Sequence, residues 1–295
     1  MKNEPGRRRL KPIEKLCLAL IGMAALAAIL LYLAVVGLTT PRRDRNIGVA
    51  AGLDCRDVRL KTADGLEIAG WYLPGTRSQA IVLVHGIHAN RAYLLPQARI
   101  LSQAGYHVLL IDLRGHGYSA GRLLTYGYLE ALDVRAAVDY LLARPGVEQV
   151  GAIGHSLGGA AAVRAAAGDE RIAALIVQSS YSSLRLAVEE SFERFTLAPR
   201  WPLIIALAEA RTGFKIEQVD SARDLAAMSP RPVLIIHSLD DTLFPPHHAE
   251  QMYAAAHEPK EIWLVSGLPH VNPISGHEEE YAARMLAFFE MAFER

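Results

Sequence analysis

Residues 150–162, VGAIGHSLGGAAA, place a serine between glycines where an apolar run gives way to a string of alanines. Residues 154–158, GHSLG, fit the pattern G-x-S-x-G, with a predicted strand before them and a predicted helix after them. In this pattern the serine lies on a sharp, strained turn, which requires small neighbours and raises Oγ above the sheet. The amide of Leu157 then points to where an oxyanion would form. The stretch therefore predicts Ser156 as a nucleophile.

A serine hydroxyl is a poor nucleophile near neutral pH, so it needs a base that is itself oriented by an acid. The expected chain order after Ser156 is an aspartate or glutamate and then a histidine. Asp240 and Asp241 follow the apolar run VLII; we favour Asp241, and interpret Asp240 as a solvated loop charge or turn former. His270 follows the last predicted strand, whereas His277 lies where a helix begins. The predicted catalytic set is Ser156, Asp241 and His270.

A second oxyanion donor is expected from the loop after an early strand. Residues 83–90, LVHGIHAN, occupy that position, and Gly86 allows the backbone to approach a substrate closely. The amides of Ile87 and Leu157 are therefore the predicted oxyanion hole. The chain has no H-E-x-x-H motif and no cysteine pair, so we expect neither a metal nor a cofactor.

Alternating strand and helix patterns predict an α/β domain over residues 55–295. Two runs around Asp64-Gly65 predict a β-hairpin, because Asp-Gly favours a tight turn. Strands that are apolar on both faces belong to a parallel sheet covered by helices on both sides. Such runs occur at 80–84, 108–111, 150–153, 175–177, 233–236 and 262–265.

One long interval interrupts this alternation and predicts a small helical cap insertion at about residues 180–228. It contains two helix-like stretches, LAVEESFERF and WPLIIALAEA. The second either forms an apolar wall or faces lipid at the mouth of the site, or it buries its apolar side against the core. Loops at the carboxyl ends of parallel strands are where ligands bind, so the insertion is expected to influence substrate choice.

Residues 16–38 form an uncharged run of 23 residues, and about 20 are enough to span a bilayer. We expect a retained transmembrane anchor; a cleaved signal peptide followed by secretion is the alternative. Six Lys/Arg precede the run and three follow it closely, which favours a cytoplasmic tail at residues 1–15. Residues 39–54 would then be a linker to an extracytoplasmic domain.

The charge distribution argues against nucleic acid as a partner. The whole chain is neutral, but residues 46–295 carry a net charge of −6, whereas nucleic-acid binding requires a basic face. Cys17 lies inside the apolar run, so a disulfide with Cys55 is not expected. The oligomeric state is left open by the sequence.

Taken together, HGIHAN (85–90), DLRGHGYS (112–119), GHSLGG (154–159), HSLDDTLFPP (237–246) and GLPHVN (267–272) resemble the α/β-hydrolase superfamily. The opening TADGLEIAGWYLPG is similar to its membrane-anchored or secreted serine-aminopeptidase-like branch. The resemblance covers about residues 55–295 and implies an α/β-hydrolase fold. It also implies Ser156 as nucleophile, Asp241 as acid and His270 as base, with oxyanion amides from Ile87 and Leu157.

These features predict a serine hydrolase that cleaves a carboxylic ester or thioester through an acyl-enzyme. The expected substrate is a small-molecule acyl ester, a class to which lipid-like esters belong. An acyltransferase and a serine peptidase are the alternatives on the same fold. A binding module that lacks catalysis is the other class, and such modules usually lack a triad residue, whereas here all three are present.

Overall fold

Strands and helices alternate along the chain after a long N-terminal helix. The computed structural model describes residues 10–48, 50, 52–194, 201–267, 270 and 275–294. The described strands are β1 Arg56–Lys61, β2 Glu67–Leu73, β3 Gln79–Val84, β4 His107–Ile111, β5 Gln149–His155, β6 Ile172–Gln178, β7 Val233–Ser238 and β8 Lys260–Val265. The described helices are α1 Pro12–Thr39, α2 Leu95–Gln103, α3 Glu130–Leu142, α4 Leu157–Ala167, α5 Leu184–Arg194, α6 Trp201–Thr212, α7 Ser221–Met228, α8 His247–Ala255 and α9 Glu278–Phe293.

The strands form one mostly parallel sheet, in the order β1-β2-β4-β3-β5-β6-β7-β8. β2 pairs antiparallel with β1 and β4, and every other described pairing is parallel. The predicted hairpin is confirmed as β1 and β2, and Gly65 in its turn adopts a φ of 85°, a value that favours glycine. The α/β architecture expected from the alternating pattern is therefore confirmed.

The central strands are buried on both faces, which explains why their sequences are continuously apolar. Along β3, Ala80, Val82 and Val84 join a cluster with α3, α4, α7 and α8. Ile81 and Leu83 point the other way, into a second cluster with α2 and α9. Because successive side chains of a strand alternate between faces, one run of six residues supplies both layers of the core.

Among its described residues, the long interval after β6 contains three α-helices in two different environments. α7 packs against α4 and α8, and its Leu225 and Met228 belong to the same core cluster as the sheet. α5 contributes Leu184 and Ala187 to a third, smaller cluster that also contains Ala160 of α4. α5 and α6 therefore form the cover on this edge of the sheet, and α7 is the crossover helix that leads to β7.

α1 is the one helix of the described residues that is long and apolar enough to cross a membrane. It has 28 residues, a mean hydropathy of 2.6 over its best window, and only 6% of that window is buried. A retained anchor and a signal sequence share these properties. After α1, Pro41 packs against Gly115, and Arg43 donates hydrogen bonds to the carbonyls of Ser119 and Gly121, so this segment runs across the domain.

Candidate active site

Ser156 lies on the sharp turn between the end of β5 and the start of α4. Its backbone angles, φ 53° and ψ −118°, are in a region that non-glycine residues rarely occupy. A Cβ on Gly154 would collide with the carbonyl of Gly158, and one on Gly158 would collide with the carbonyl of Val84. The glycines that flank the serine in the sequence are therefore required because backbone passes directly beside them.

Gly158→Ala is expected to lower the free energy of unfolding by about 1–3 kcal/mol, since overpacking costs this much in well-packed cores. The added methyl group would have to push α4 away from β3. Gly48→Ala is the matched control, because nothing lies within 4 Å of the position of its added Cβ. Urea unfolding of both variants measures the difference, and equal midpoints would contradict this interpretation of the turn.

Ser156, His270 and Asp241 form a continuous hydrogen-bonded chain, although 114 residues separate Ser156 from His270. His270 Nδ1 lies 2.7 Å from Asp241 Oδ2, and His270 Nε2 lies 3.1 Å from Ser156 Oγ. An ionised carboxylate only accepts hydrogen bonds, so Nδ1 carries the proton. Nε2 is then free to accept the hydroxyl proton of Ser156, which is the arrangement that general-base chemistry needs.

The loop after β7 holds Asp241 as an oriented, buried acceptor. Its Oδ1 accepts hydrogen bonds from the amides of Leu243 and Phe244, both at 2.9 Å. Burial alone would raise the pKa of Asp241, but the hydrogen bond and charge of His270 and the Phe244 amide together hold the pKa below its usual value. The carboxylate is therefore ionised at neutral pH and can stabilise a positive imidazole.

The two rival residues lie elsewhere in the structure. Asp240 is exposed, and its carboxylate accepts a hydrogen bond from the amide of Gly267. His277 precedes α9 and its ring lies edge-on to Trp263. Neither makes a described contact with Ser156, and of the two adjacent aspartates it is Asp241, which the sequence favours, that is hydrogen-bonded to His270.

The predicted oxyanion donors flank Ser156 on two sides. Leu157 begins α4, where backbone N–H groups have no partner within the helix. A Cβ on Gly86 would lie 3.2 Å from Cβ of Ser156, so the loop that carries Ile87 lies directly against the serine. His85 Nε2 accepts a hydrogen bond from the Leu113 amide, which leaves Nδ1–H to donate to the Gly86 carbonyl at 2.6 Å. His85 thereby braces this loop.

His155 is a site residue whose role the sequence does not reveal. Its Nε2 lies 3.3 Å from the backbone carbonyl of His270, and only a protonated Nε2 can donate there. Burial, followed by repulsion from His270, lowers the pKa of His155 to about 4. Neutral His155 therefore fixes the backbone of the residue that would act as base. The one sequence signal is its place between Gly154 and Ser156.

The depressed pKa of His155 predicts a contribution to acid instability. The unfolded state protonates near the ordinary histidine pKa of 6.5, whereas the folded state stays neutral until about pH 4. Stability that is present above the unfolded value is therefore lost as pH falls through this window, by up to about 1.4 kcal/mol per pH unit. His155→Gln removes this proton, so its free energy of unfolding should fall less steeply than that of the wild type. Identical slopes in denaturant titrations from pH 7 to 4 would contradict the assignment.

Glu190, His247 and His248 form the described cluster that could hold a metal ion, with ligand atoms within 4.8 Å of one another. The amide of Ser182 donates to His248 Nδ1 at 3.2 Å, so the neutral ring carries its proton on Nε2. That Nε2–H points at Glu190 Oε2, 3.1 Å away. A metal bound at His248 Nε2 would need the opposite tautomer, with the proton on Nδ1. The contacts therefore favour hydrogen bonds that join α5 to α8.

A cavity of about 440 Å³ lies beside β1 and β2. It is lined by Asp57, Arg59, Trp71, Arg91 and Tyr118, together with Ile47, Val58 and Ala69. None of the candidate catalytic residues borders it. Arg91 forms an ion pair with Asp112 at 2.7 Å, so the side chain that lines this wall of the cavity is fixed in place.

Comparison with known proteins places this geometry in a family. The family profile described as alpha/beta hydrolase fold matches residues 79–201. An uncharacterized protein of Mycobacterium tuberculosis, MT2364, is 31% identical over 74% of this chain and 73% of its own length. The polyketide transferase ATR5 of Stachybotrys chlorohalonatus is 28% identical over 79% of this chain and 96% of its own length. The solved structure of the Pyrococcus furiosus esterase Pf2001 superposes with a TM-score of 0.73 at 24% identity, covering 86% of this chain and 97% of that chain.

Proposed function

Because this chain belongs to the α/β-hydrolase fold family, we propose that it is a serine hydrolase that cleaves carboxylic ester or thioester bonds through an acyl-enzyme. The single observation that carries the proposal is the chain from Ser156 Oγ through the His270 ring to the Asp241 carboxylate. The family fold supports a hydrolytic enzyme that acts on a small molecule. The choice of serine chemistry and of an ester substrate rests on the site itself.

In the first half of the proposed reaction, His270 Nε2 takes the hydroxyl proton as Ser156 Oγ attacks the carbonyl carbon of the substrate. The negative charge that forms on the carbonyl oxygen is stabilised by the amides of Ile87 and Leu157. Loss of one such donor typically costs about 10²–10³ in rate. Asp241 stabilises the imidazolium. The imidazolium then gives its proton to the departing alcohol or thiol, and the acyl group remains on Ser156.

In the second half, a water molecule gives a proton to His270 Nε2 and attacks the acyl-enzyme, and the same amides stabilise the second tetrahedral intermediate. Its collapse releases the carboxylic acid and returns the proton to Ser156 Oγ. The side chains that act in each half are the same three, so a defect in any one of them slows both acylation and deacylation.

Acyl transfer is the second candidate, and the similarity to the polyketide transferase ATR5 favours it. The two reactions share the acyl-enzyme on Ser156 and differ only in whether water or another nucleophile accepts the acyl group. An acceptor alcohol that outcompetes water would leave the roles of Asp241 and His270 unchanged.

Hydrolysis of p-nitrophenyl esters of graded acyl length by the full chain tests the proposal. We expect release of p-nitrophenol together with the free acid, and a faster p-nitrophenol burst in the first turnover if deacylation is slow. Added alcohols separate the two candidates, because a transferase forms the new ester in preference to the acid. Absence of turnover and of any covalent acyl adduct with every ester would contradict the proposal.

We also propose that α1 is retained as a single-pass anchor, with the N-terminus in the cytoplasm and the catalytic domain outside. The six Lys/Arg before the apolar run, against three after it, support this orientation. Protease added to intact cells or spheroplasts should then digest the catalytic domain. Full protection in both, with digestion after lysis, would reverse the orientation.

A further inference from the structure

The last turns of α1 are packed into the folded domain instead of being separated from it by a free linker. Val35 is 2% exposed and Thr39 is buried. The carbonyl of Leu38 accepts a hydrogen bond from the Tyr126 hydroxyl, and that of Thr39 accepts one from the Leu124 amide. Such carbonyls at the end of a helix have no partner within it. The domain therefore holds the end of α1 directly.

This attachment sets the depth of the domain relative to the apolar run 16–38. Val35 lies about 5 Å before the end of the run, at 1.5 Å per residue. By the same rise the run is about 34 Å long, slightly more than the ~30 Å hydrocarbon core of a bilayer. If α1 spans a membrane, any part of the domain that packs beside Val35 lies at the boundary between acyl chains and headgroups.

The element that packs beside this end of α1 is α6. The two helices meet at their C-terminal ends, where Arg211 Nε donates to Thr39 Oγ1 at 2.8 Å. The preceding residues 202–208, PLIIALA, carry no charge. Leu203 and Leu207, one turn apart, are 56% and 38% exposed, whereas a helix that faces water would carry polar residues there. The exposed apolar surface of α1 thus continues onto α6.

The other exposed apolar side chains lie in connections that follow the carboxyl ends of strands. Among the described residues after α1, the exposed large apolar side chains are Tyr118 after β4, Leu203 and Leu207 after β6, and Leu239 and Leu243 after β7. Each follows the carboxyl end of its strand, which is also the edge that carries Ser156. Exposed apolar side chains that lie together indicate an interaction surface, and Leu203 and Leu207 form such a pair on α6.

We propose that this edge of the domain rests on a phospholipid bilayer, with α6 in the interfacial layer, and that the substrate is an acyl ester which resides in the membrane. The surface follows from α1 and α6 alone, whereas the substrate class rests on the proposed serine hydrolase. Ile205 of α6 packs on the cluster that contains Ala160, one helical turn beyond Ser156. Ser156 is 4% exposed, which fits a substrate that enters beneath this cover.

The surface is tested without catalysis, by fluorescence quenching in the full chain. In a Cys17→Ala, Cys55→Ser background, Leu203→Cys or Leu207→Cys carries a bimane label, and Glu148→Cys is the control. Glu148 is exposed and precedes β5, at the opposite edge of the sheet. In phosphatidylcholine vesicles with brominated acyl chains, we expect quenching at positions 203 and 207 and none at 148. An equal degree of quenching at all three positions would overturn the proposed surface.

The substrate class is tested by comparing two esters that share one leaving group. One is p-nitrophenyl palmitate embedded in phosphatidylcholine vesicles, and the other is p-nitrophenyl acetate in water. We expect the double variant Leu203→Asp, Leu207→Asp to lower the ratio of palmitate to acetate turnover on the order of tenfold, because charge weakens interfacial contact. The matched double variant Leu203→Met, Leu207→Met stays apolar and should keep the wild-type ratio.

The outcomes distinguish this inference from the proposed function. Wild-type turnover of acetate with an unchanged ratio in the aspartate variant would overturn the membrane substrate and leave the serine hydrolase standing. A wild type that neither hydrolyses nor is acylated by any ester of the graded series overturns the proposed function, and the quenching result then decides the surface alone. Quenching together with a lowered ratio supports both halves.

Discussion

Ser156→Ala is expected to lower kcat for ester hydrolysis by about 10⁵–10⁶, since removal of a nucleophilic serine from a triad costs this much. The substitution deletes the one atom that would form the acyl-enzyme, and His270 Nε2 loses the hydroxyl that donates to it at 3.1 Å. Folding should be unaffected, because a backbone φ of 53° is equally unfavourable for alanine and for serine. The loss of kcat is measured from the rate at which each protein hydrolyses p-nitrophenyl butyrate.

Ser180→Ala is the matched control for this experiment. The Ser180 hydroxyl donates to the carbonyl of Ser156 at 2.9 Å, so it supports the turn, and it makes no described contact with His270. We expect its kcat to remain within about tenfold of the wild type, because one hydrogen bond contributes about 1 kcal/mol. Equal losses in the two variants would mean that the turn, and not the Ser156 hydroxyl, is what the activity requires.

Asp241→Asn is expected to lower kcat by about 10⁴ with little change in the fold. The amide has nearly the shape of the carboxylate but carries no charge, so it cannot stabilise the imidazolium. It also permits the wrong His270 tautomer, with the proton on Nε2. Steady-state kinetics of the purified variant measure kcat and KM separately, and the loss should fall mainly on kcat.

The neighbouring residue provides the control, since Asp240→Asn changes the same chemical group one position earlier. Asp240 is exposed and accepts from the Gly267 amide, so its replacement should change kcat by no more than a few-fold. A larger loss in Asp240→Asn than in Asp241→Asn would assign the acid to the other aspartate.

Local sequence patterns predict the strands because a strand that is buried on both faces consists almost entirely of apolar residues. β3 reads as a continuous apolar run since Val82 and Ile81 enter opposite layers of the core. The turn at Ser156 is equally local, because Gly154 and Gly158 are small for steric reasons within the same few residues. These parts of the fold follow from spacing and residue size alone.

For residues far apart in the chain, the sequence predicts which loops meet but not which side chains come into contact. The sheet brings the loops after β5, β7 and β8 to one edge, and the sequence favours Asp241, but the different partners of Asp241 and Asp240 are visible only in the folded chain. The tie from Glu190 to His247 and His248 leaves no periodic signal, since it joins α5 to α8 across 57 residues. The packing of α6 on α1 is similar, because residues 39 and 211 meet only in three dimensions.

Labelling of the full chain with a fluorophosphonate probe tests the central claim most directly, because the probe reacts only with an activated serine. We predict one adduct on the peptide that contains Ser156, and its loss or strong slowing in His270→Ala. The probe needs no knowledge of the natural acyl group. A chain that remains unlabelled, or one labelled on a different serine at the same rate in His270→Ala, would contradict the account.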